Sequence, residues 1–405
     1  MVKMKKLLQG AGINLFLLSL ISFLNDVSSD LILAIFPFFI LSLGGGGIAL
    51  GLIGGLGDSL AGILKVFSGA FSDKLRRRKP LISLGYILSA IVKVFFPFVH
   101  SWTSLLFLRP LERVGKGLRI APRDALLASS ISPQRRGRGF GIRKAADSSG
   151  AVLGTLLAFI FFWFAKFNFR TILLVGAAIG FLALFPLGFL REKRPSGKIQ
   201  MPSIKFIKFP VNFKKYLIAA GVFGLSNFTY MFFILRAKNV FVSVFPGRLA
   251  IGIPILLYAW FNLVYALGAF PAGVLSDRIG RKKIITIGYL IFSFTCLGLV
   301  HSETIPSFIV LFAFYGVALS LVSANQVAFV ADMIEEKFRG TALGLFHTTI
   351  SIATLFGSVI AGFLWNKGIN LPFLYGFLVS LLAAGTMIGV RWGPDPPDKN
   401  VSTKY

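Results

Sequence analysis

A single cysteine, Cys296, and three histidines in 405 residues exclude an intramolecular disulfide and leave no set of thiolates or imidazoles from which a metal centre could be built. Cys296 lies within an apolar run and reads as packing, and His347 alone supports neither a metal site nor a pH sensor. Carboxylates are scarce too, with 15 Asp and Glu against 43 Lys and Arg. No nucleophile and base stand at a usable spacing, so neither enzymatic chemistry nor a cofactor is expected. Charge of both signs together amounts to only 14% of the chain.

Apolar residues fill the remainder. They make up 55% of the sequence, and the mean hydropathy of +0.78 is too high for a water-soluble globule of this length. Runs of about 20 apolar residues recur, each long enough as a helix to cross about 30 Å of hydrocarbon. Twelve such spans are predicted near residues 13–41, 48–72, 80–99, 103–130, 139–163 and 169–190, then 213–240, 249–275, 284–301, 305–331, 340–365 and 370–392. The expected class is an all-α membrane protein.

In a soluble protein the basic excess would suggest nucleic acid, but its placement argues for a lipid bilayer instead. Lys3, Lys5 and Lys6 precede the first span, residues 74–79 follow the second, Arg135, Arg136 and Arg138 follow the fourth, and residues 191–215 fill the middle. The alternate loops at residues 44–47, 100–104 and 301–304 carry no Lys or Arg. This asymmetry predicts both termini and the central linker in the cytoplasm; the abundance of Lys and Arg with a single Cys suits a thermophilic prokaryote, in whose cell membrane the spans are expected. Lysines ahead of the first span do not make it a signal peptide, because that span contains Asn25, Asp26 and Asp30 and lacks a clear small-residue cleavage site.

The chain also repeats itself. Gly69-Ala-Phe-Ser-Asp73-Lys-Leu-Arg76-Arg77-Arg-Lys79 returns as Gly273-Val-Leu-Ser-Asp277-Arg-Ile-Gly280-Arg281-Lys-Lys283, the aspartates standing 204 positions apart. Asn25 matches Asn227 at an offset of 202, and Arg138-Gly139 matches Arg339-Gly340 at 201. Duplication predicts two parallel six-helix bundles, residues 1–190 and 213–392, joined by a cytoplasmic linker at 191–212 and followed by a tail at 393–405, with a substrate site between them near the bilayer midplane.

On these residues the chain resembles the major facilitator superfamily over essentially its whole length. The paired charged loops after spans 2 and 8 are similar to that family's most specific signature, with Arg76 in place of a glycine in the first copy. The resemblance implies a cytoplasmic gate at Asp73, Arg77, Asp277 and Arg281. Arg113, Lys116 and Gly117 on span 4 resemble the family's Arg-x-x-Gln-Gly, whose arginine is linked to proton transfer. Gly141, Gly150 and Gly154 on span 5 reproduce the glycine spacing of an antiporter motif found in exporters, although Thr155 stands where a proline is usual. Close helix approach explains the same spacing in any membrane bundle.

Arg109, Arg113, Lys116, Arg119 and Arg123 follow at spacings of 4, 3, 3 and 4, placing five cations along one helix face. Each would cost about 2.5–3.5 kcal/mol against lipid, so the face must border water, a substrate path or carboxylates. Asp26, Asp30, Asp58, Glu112, Asp124 and Asp147 are the acids available. Asp26 and Asp30 share a face, and two carboxylates repelling each other in a partly desolvated cavity are suited to taking up and releasing protons. Asp26 is the expected proton carrier, assisted by Asp30 and modulated by Arg113; the bland alternative makes the acids permanent counter-ions of the stripe. Asn25, Arg109, Lys116, Arg119, Asn227, Tyr230, Trp260, Asn262, Asn325 and Gln326 are the expected substrate-cavity residues. The resulting expectation is a proton-coupled antiporter that expels a small solute by alternating access and works as a monomer. Its rival is a carrier of an organic or inorganic anion held by the stripe. A scaffold that no longer transports would gain from apolar replacement of these costly charges.

Overall fold

The computed structural model describes residues 12–75, 77–132, 135–192, 209–335 and 338–389, without the side chains of residues 70 and 73–75. Its elements, in chain order, are α1 Gly12–Ser42, α2 Gly47–Leu75, α3 Lys79–Phe95, α4 Trp102–Ser130, α5 Arg136–Trp163, α6 Phe169–Leu182, α7 Val211–Ser226, α8 Met231–Val244, α9 Leu249–Ile279, α10 Arg281–His301, α11 Ile305–Met333, α12 Arg339–Lys367 and α13 Leu371–Gly389. The described residues contain no strand. Short 3₁₀ turns at Phe96–Phe98 and Phe185–Phe189 extend α3 and α6. Residues 193–208 of the expected linker at 191–212, the N-terminal residues 1–11, and residues 390–405, which include the expected tail at 393–405, lie outside the described residues, and α7 already begins at Val211 within the expected linker.

Among the described residues eleven spans are long and apolar enough to cross a membrane, α7 and α8 counting as one. The twelfth, α4, has 29 residues but carries the basic stripe, so length qualifies it while composition does not. It survives as a helix because its cations point into protein. At the end of the bundle opposite the paired charged loops, Ser101, Asn168 and Thr304 cap α4, α6 and α11 by accepting the N–H of Thr103, Thr171 and Ser307, which satisfies amides the helices leave free.

Two details differ from the sequence reading. Span 7 is broken: α7 stops at Ser226 and α8 restarts at Met231, with Asn227 outside helical geometry. Ser226, Asn227 and Thr229 have polar groups that compete for backbone partners. The freed Thr229 amide donates to Ser358 Oγ at 3.1 Å, so the interruption is satisfied within protein, as membrane depth demands. The second difference is the repeat register near the Arg-Gly pairs. Arg136 Nε bonds the carbonyl of Ala128 and Arg339 Nε that of Ala331, each eight residues back and each at 3.1 Å. Arg136, at an offset of 203, is therefore the counterpart of Arg339, and Arg138 is not.

The first six spans meet the last six mainly along α2 with α12 and α5 with α9. On the first seam the Gly47 amide donates to Asn366 Oδ1 at 2.9 Å, and the Ser59 hydroxyl donates to the Ser351 carbonyl. On the second, Arg248 donates to the carbonyls of Phe162 at 2.8 Å and Lys166 at 3.1 Å, and its guanidinium lies over the Phe162 ring. These Arg248 contacts sit at the end opposite the paired charged loops. Tyr230 adds a third link through its hydroxyl, which donates to the Leu33 carbonyl at 2.9 Å.

Candidate functional site

The stripe on α4 forms as spaced, and each guanidinium in it has protein partners. Arg109 reaches Glu112 Oε2 at 2.7 Å; Arg113 reaches Asp58 Oδ1 at 3.2 Å and Glu112 Oε2 at 3.6 Å. Arg119 donates to Ser89 Oγ at 2.7 Å and to the Gly85 carbonyl, with its guanidinium 4.4 Å from the centre of the Tyr86 ring. Arg123 binds Ser22 at 2.9 Å and Asp124 at 3.3 Å. Glu112, 1% exposed, is thus held between two guanidiniums, the arrangement that makes a buried carboxylate tolerable. On α5, Arg143 pairs with Asp147 at 2.7 Å and Asp124 at 3.7 Å.

Lys116 completes the stripe and opens onto a cavity of about 330 Å³. Four cations, Lys116, Arg119, Arg123 and Lys144, and three acids, Asp26, Asp30 and Asp147, share its wall. Asn262 and Tyr265 of α9 close the far side, so both sets of spans contribute. The Lys144 ammonium lies 5.7 Å from the centre of the Tyr265 ring across that space. Asn25 does not line this cavity; its amide donates to Asp26 Oδ1 at 3.1 Å. Asp26, Asp30, Lys116, Arg119 and Asn262 thus come together as the spacing suggests, whereas Arg113 does not reach Asp26: its ion partners are Asp58 and Glu112.

A second cavity, about 350 Å³, lies between α2, the α7–α8 break, α9, α11 and α12. Asn227 and Tyr230 line it with Asp58, Tyr258, Phe261 and Tyr315. About two turns of α9 divide the two spaces, Tyr258 and Phe261 facing one and Asn262 and Tyr265 the other.

Five expected cavity residues line neither space: Asn25, Arg109, which is taken up by Glu112, and Trp260, Asn325 and Gln326. Trp260, 38% exposed, donates its indole N–H to the Ile309 carbonyl at 3.0 Å and lines neither cavity. It sits two residues from Asn262, and a helix turns by about 200° over that interval. Buried Asn325 donates to the carbonyls of Leu321 and Ala272, and Gln326 donates to the Tyr289 hydroxyl at 2.7 Å. Both are hydrogen-bond partners within the second set of spans.

Gly150 and Gly154 let α1 approach α5: a Cβ at Gly150 would stand 2.6 Å from the Phe23 carbonyl oxygen, and one at Gly154 would strike that of Val27. Gly141 has open space instead, with no atom within 4 Å of a Cβ placed there. Of the expected gate residues, Arg281 pairs with Asp332 and, at 3.3 Å, with Asp277, tying the end of α9 to that of α11. Arg77 is exposed, and the Asp73 side chain lies outside the described residues.

Sequence reasoning passed over Lys93. Only 2% exposed, it donates to Ser28 Oγ and Ser29 Oγ, both at 2.9 Å, while Ser28 donates onward to the Gly176 carbonyl. A lone Lys inside the third apolar run was its only signal.

Comparison with known proteins agrees with this architecture. The sequence profile of the Major Facilitator Superfamily matches residues 18–254 and 246–404. An uncharacterised MFS-type transporter of Methanocaldococcus jannaschii is 42% identical over 371 residues, covering 91% of this chain and 93% of the relative. The multidrug resistance protein MdtH of Salmonella arizonae is 21% identical over 360 residues, 87% of each chain. Among solved structures, the nucleoside transporter NupG superposes with a TM-score of 0.74 at 14% identity, covering 93% of this chain and 97% of that one. A bacterial homologue of the lysosomal transporter Spinster, inward-facing and occupied, gives 0.73 at 16%, covering 92% and 95%. Twelve membrane-length spans, paired charged loops, and matches of this extent in sequence and in fold make the chain a multi-pass member of the major facilitator superfamily, a family of transporters.

Proposed function

We propose that the protein is a proton-coupled antiporter that expels a small solute from a prokaryotic cell by alternating access. The observation that carries this reading is the charged cavity shared by the two sets of spans, in which Asp26 and Asp30 of α1 face Lys116 and Arg119 of α4. Protonation of Asp26 weakens the attraction of α1 for the stripe, and substrate competes for the proton-free form, so proton and solute bias opposite facing states. The asymmetry of the basic loops supports a cytoplasmic position for both termini. Residues 1–190 and 213–392 then rock as two bundles about the cavity, one chain sufficing, with Asp73, Arg77, Asp277 and Arg281 at the cytoplasmic gate. The contacts of Arg248 at the end opposite the paired charged loops, together with the open space at Gly141 near the other end, support a cytoplasm-facing arrangement. Relatedness to a protein named for multidrug resistance supports the outward direction.

Reconstituted in liposomes, the Asp26→Asn variant should lose transport driven by a pH gradient while its melting temperature stays near that of the parent. Undiminished gradient-driven transport would remove Asp26 from the mechanism. An anion carrier is the second reading, favoured by the four cations against three acids on the cavity wall. It needs Lys116 or Lys144, because Arg109, Arg113, Arg119 and Arg123 are already engaged with protein groups.

A further inference from the structure

The second cavity has a chemistry unlike the first. Among its lining residues Asp58 is the one charged side chain, with no Lys or Arg on the wall. Asp58 is 44% exposed although it lies near mid-length of α2, so its carboxylate is open to the cavity. Opposite it runs a continuous aromatic wall: Tyr230 stacks on Tyr258 at 4.9 Å between ring centres, Tyr258 on Phe261 at 5.7 Å, and Phe261 on Tyr315 at 4.3 Å. Thr229 adds a hydroxyl that is buried and without a hydrogen-bond partner. A carboxylate beside a wall of stacked rings attracts a positive charge mounted on an apolar body, the carboxylate through its charge and the rings through apolar area.

Arg113 already makes such a contact from the side of α4, its guanidinium 3.2 Å from Asp58. It has a second acceptor in Glu112 at 3.6 Å, and can yield Asp58 without being left unpaired. We infer that this cavity binds an organic cation, a primary to quaternary ammonium on a ring-bearing or aliphatic body, with Asp58 as counter-charge and Tyr230, Tyr258, Phe261 and Tyr315 as its walls. The volume of about 350 Å³ suits a small organic molecule. The inference rests on reading the bundle as a substrate path and names the class of solute that path carries.

The test is equilibrium binding of benzyltrimethylammonium and of benzenesulfonate, similar in size and opposite in charge, to the full chain in lipid nanodiscs at one pH. Saturable binding of the cation alone is expected, about tenfold or more weaker in Asp58→Asn and in Tyr258→Leu, and restored in Asp58→Glu. Should Asp58→Asn not fold, Tyr258→Leu and a cavity-filling Thr354→Trp report the same loss. Cation binding that ignores all these substitutions, or binding of the sulfonate instead, overturns the inference. No gradient enters the measurement, so its failure is distinct from that of proton coupling. Asp58-dependent binding without gradient-driven transport would sink the antiport reading alone, and transport without cation binding would sink this one alone.

Discussion

Arg113 of α4 bridges Asp58 of α2, at 3.2 Å, and Glu112 of its own helix, at 3.6 Å. The two carboxylates differ in burial, 44% exposed for Asp58 and 1% for Glu112, and so differ in what they contribute. A guanidinium buried among helices needs an anion that cannot be solvated away. Glu112 fills that role for Arg109 and Arg113 together, leaving Asp58 free to exchange partners.

Glu112→Gln is therefore expected to cost about 3–5 kcal/mol, as breaking a buried pair does, because two buried guanidiniums lose their shared anion. Asp58→Asn should cost clearly less, since water or solute reaches that side chain. Thermal denaturation of the purified variants checks the ranking; equal losses would contradict the division of roles.

Lys93 has serine hydroxyls as hydrogen-bond partners and no carboxylate within ion-pair distance among the described residues. Replacing a buried charge with an apolar side chain of similar length is often neutral or stabilising. Lys93→Met should then melt no lower than the parent, with Ser28 still bonded to the Gly176 carbonyl. A large fall in melting temperature would show that the ammonium is required by the fold.

The three glycines of α5 should separate. Gly150→Leu and Gly154→Leu push against the α1 backbone at Phe23 and Val27 and are expected to abolish folded protein, as judged by gel filtration in detergent. Gly141→Ala meets open space and should be tolerated, by helix propensity even favoured by up to about 1 kcal/mol. Equal tolerance at all three sites would disprove the tight α1–α5 seam.

Span positions, the duplication and the charged stripe were legible because each leaves a one-dimensional trace: apolar length, an offset near half the chain, a 3–4 spacing. The α7–α8 break was not, since no proline or glycine marks Asn227, and the polar run around it becomes an interruption only with Ser358 to receive the Thr229 amide. Trp260 misled through residue type alone; its phase relative to Asn262 put it on the opposite face. The Arg113–Asp58 pair and the aromatic wall join helices far apart in sequence, and periodicity along one helix carries no information about which neighbour it faces. Nor could Arg136 be told from Arg138 as the partner of Arg339 until both made the same bond to a carbonyl eight residues back.

Access to the charged cavity is the most direct test. Ala151 lines it and the native Cys296 is buried, so an Ala151→Cys, Cys296→Ala double variant presents one thiol inside the passage. Labelled with a membrane-impermeant maleimide in oriented vesicles, it should react from the cytoplasmic face in one condition and from the opposite face when a pH gradient is imposed. A thiol that stays unreactive from both sides, or reacts from both sides at once, would contradict alternating access through this cavity.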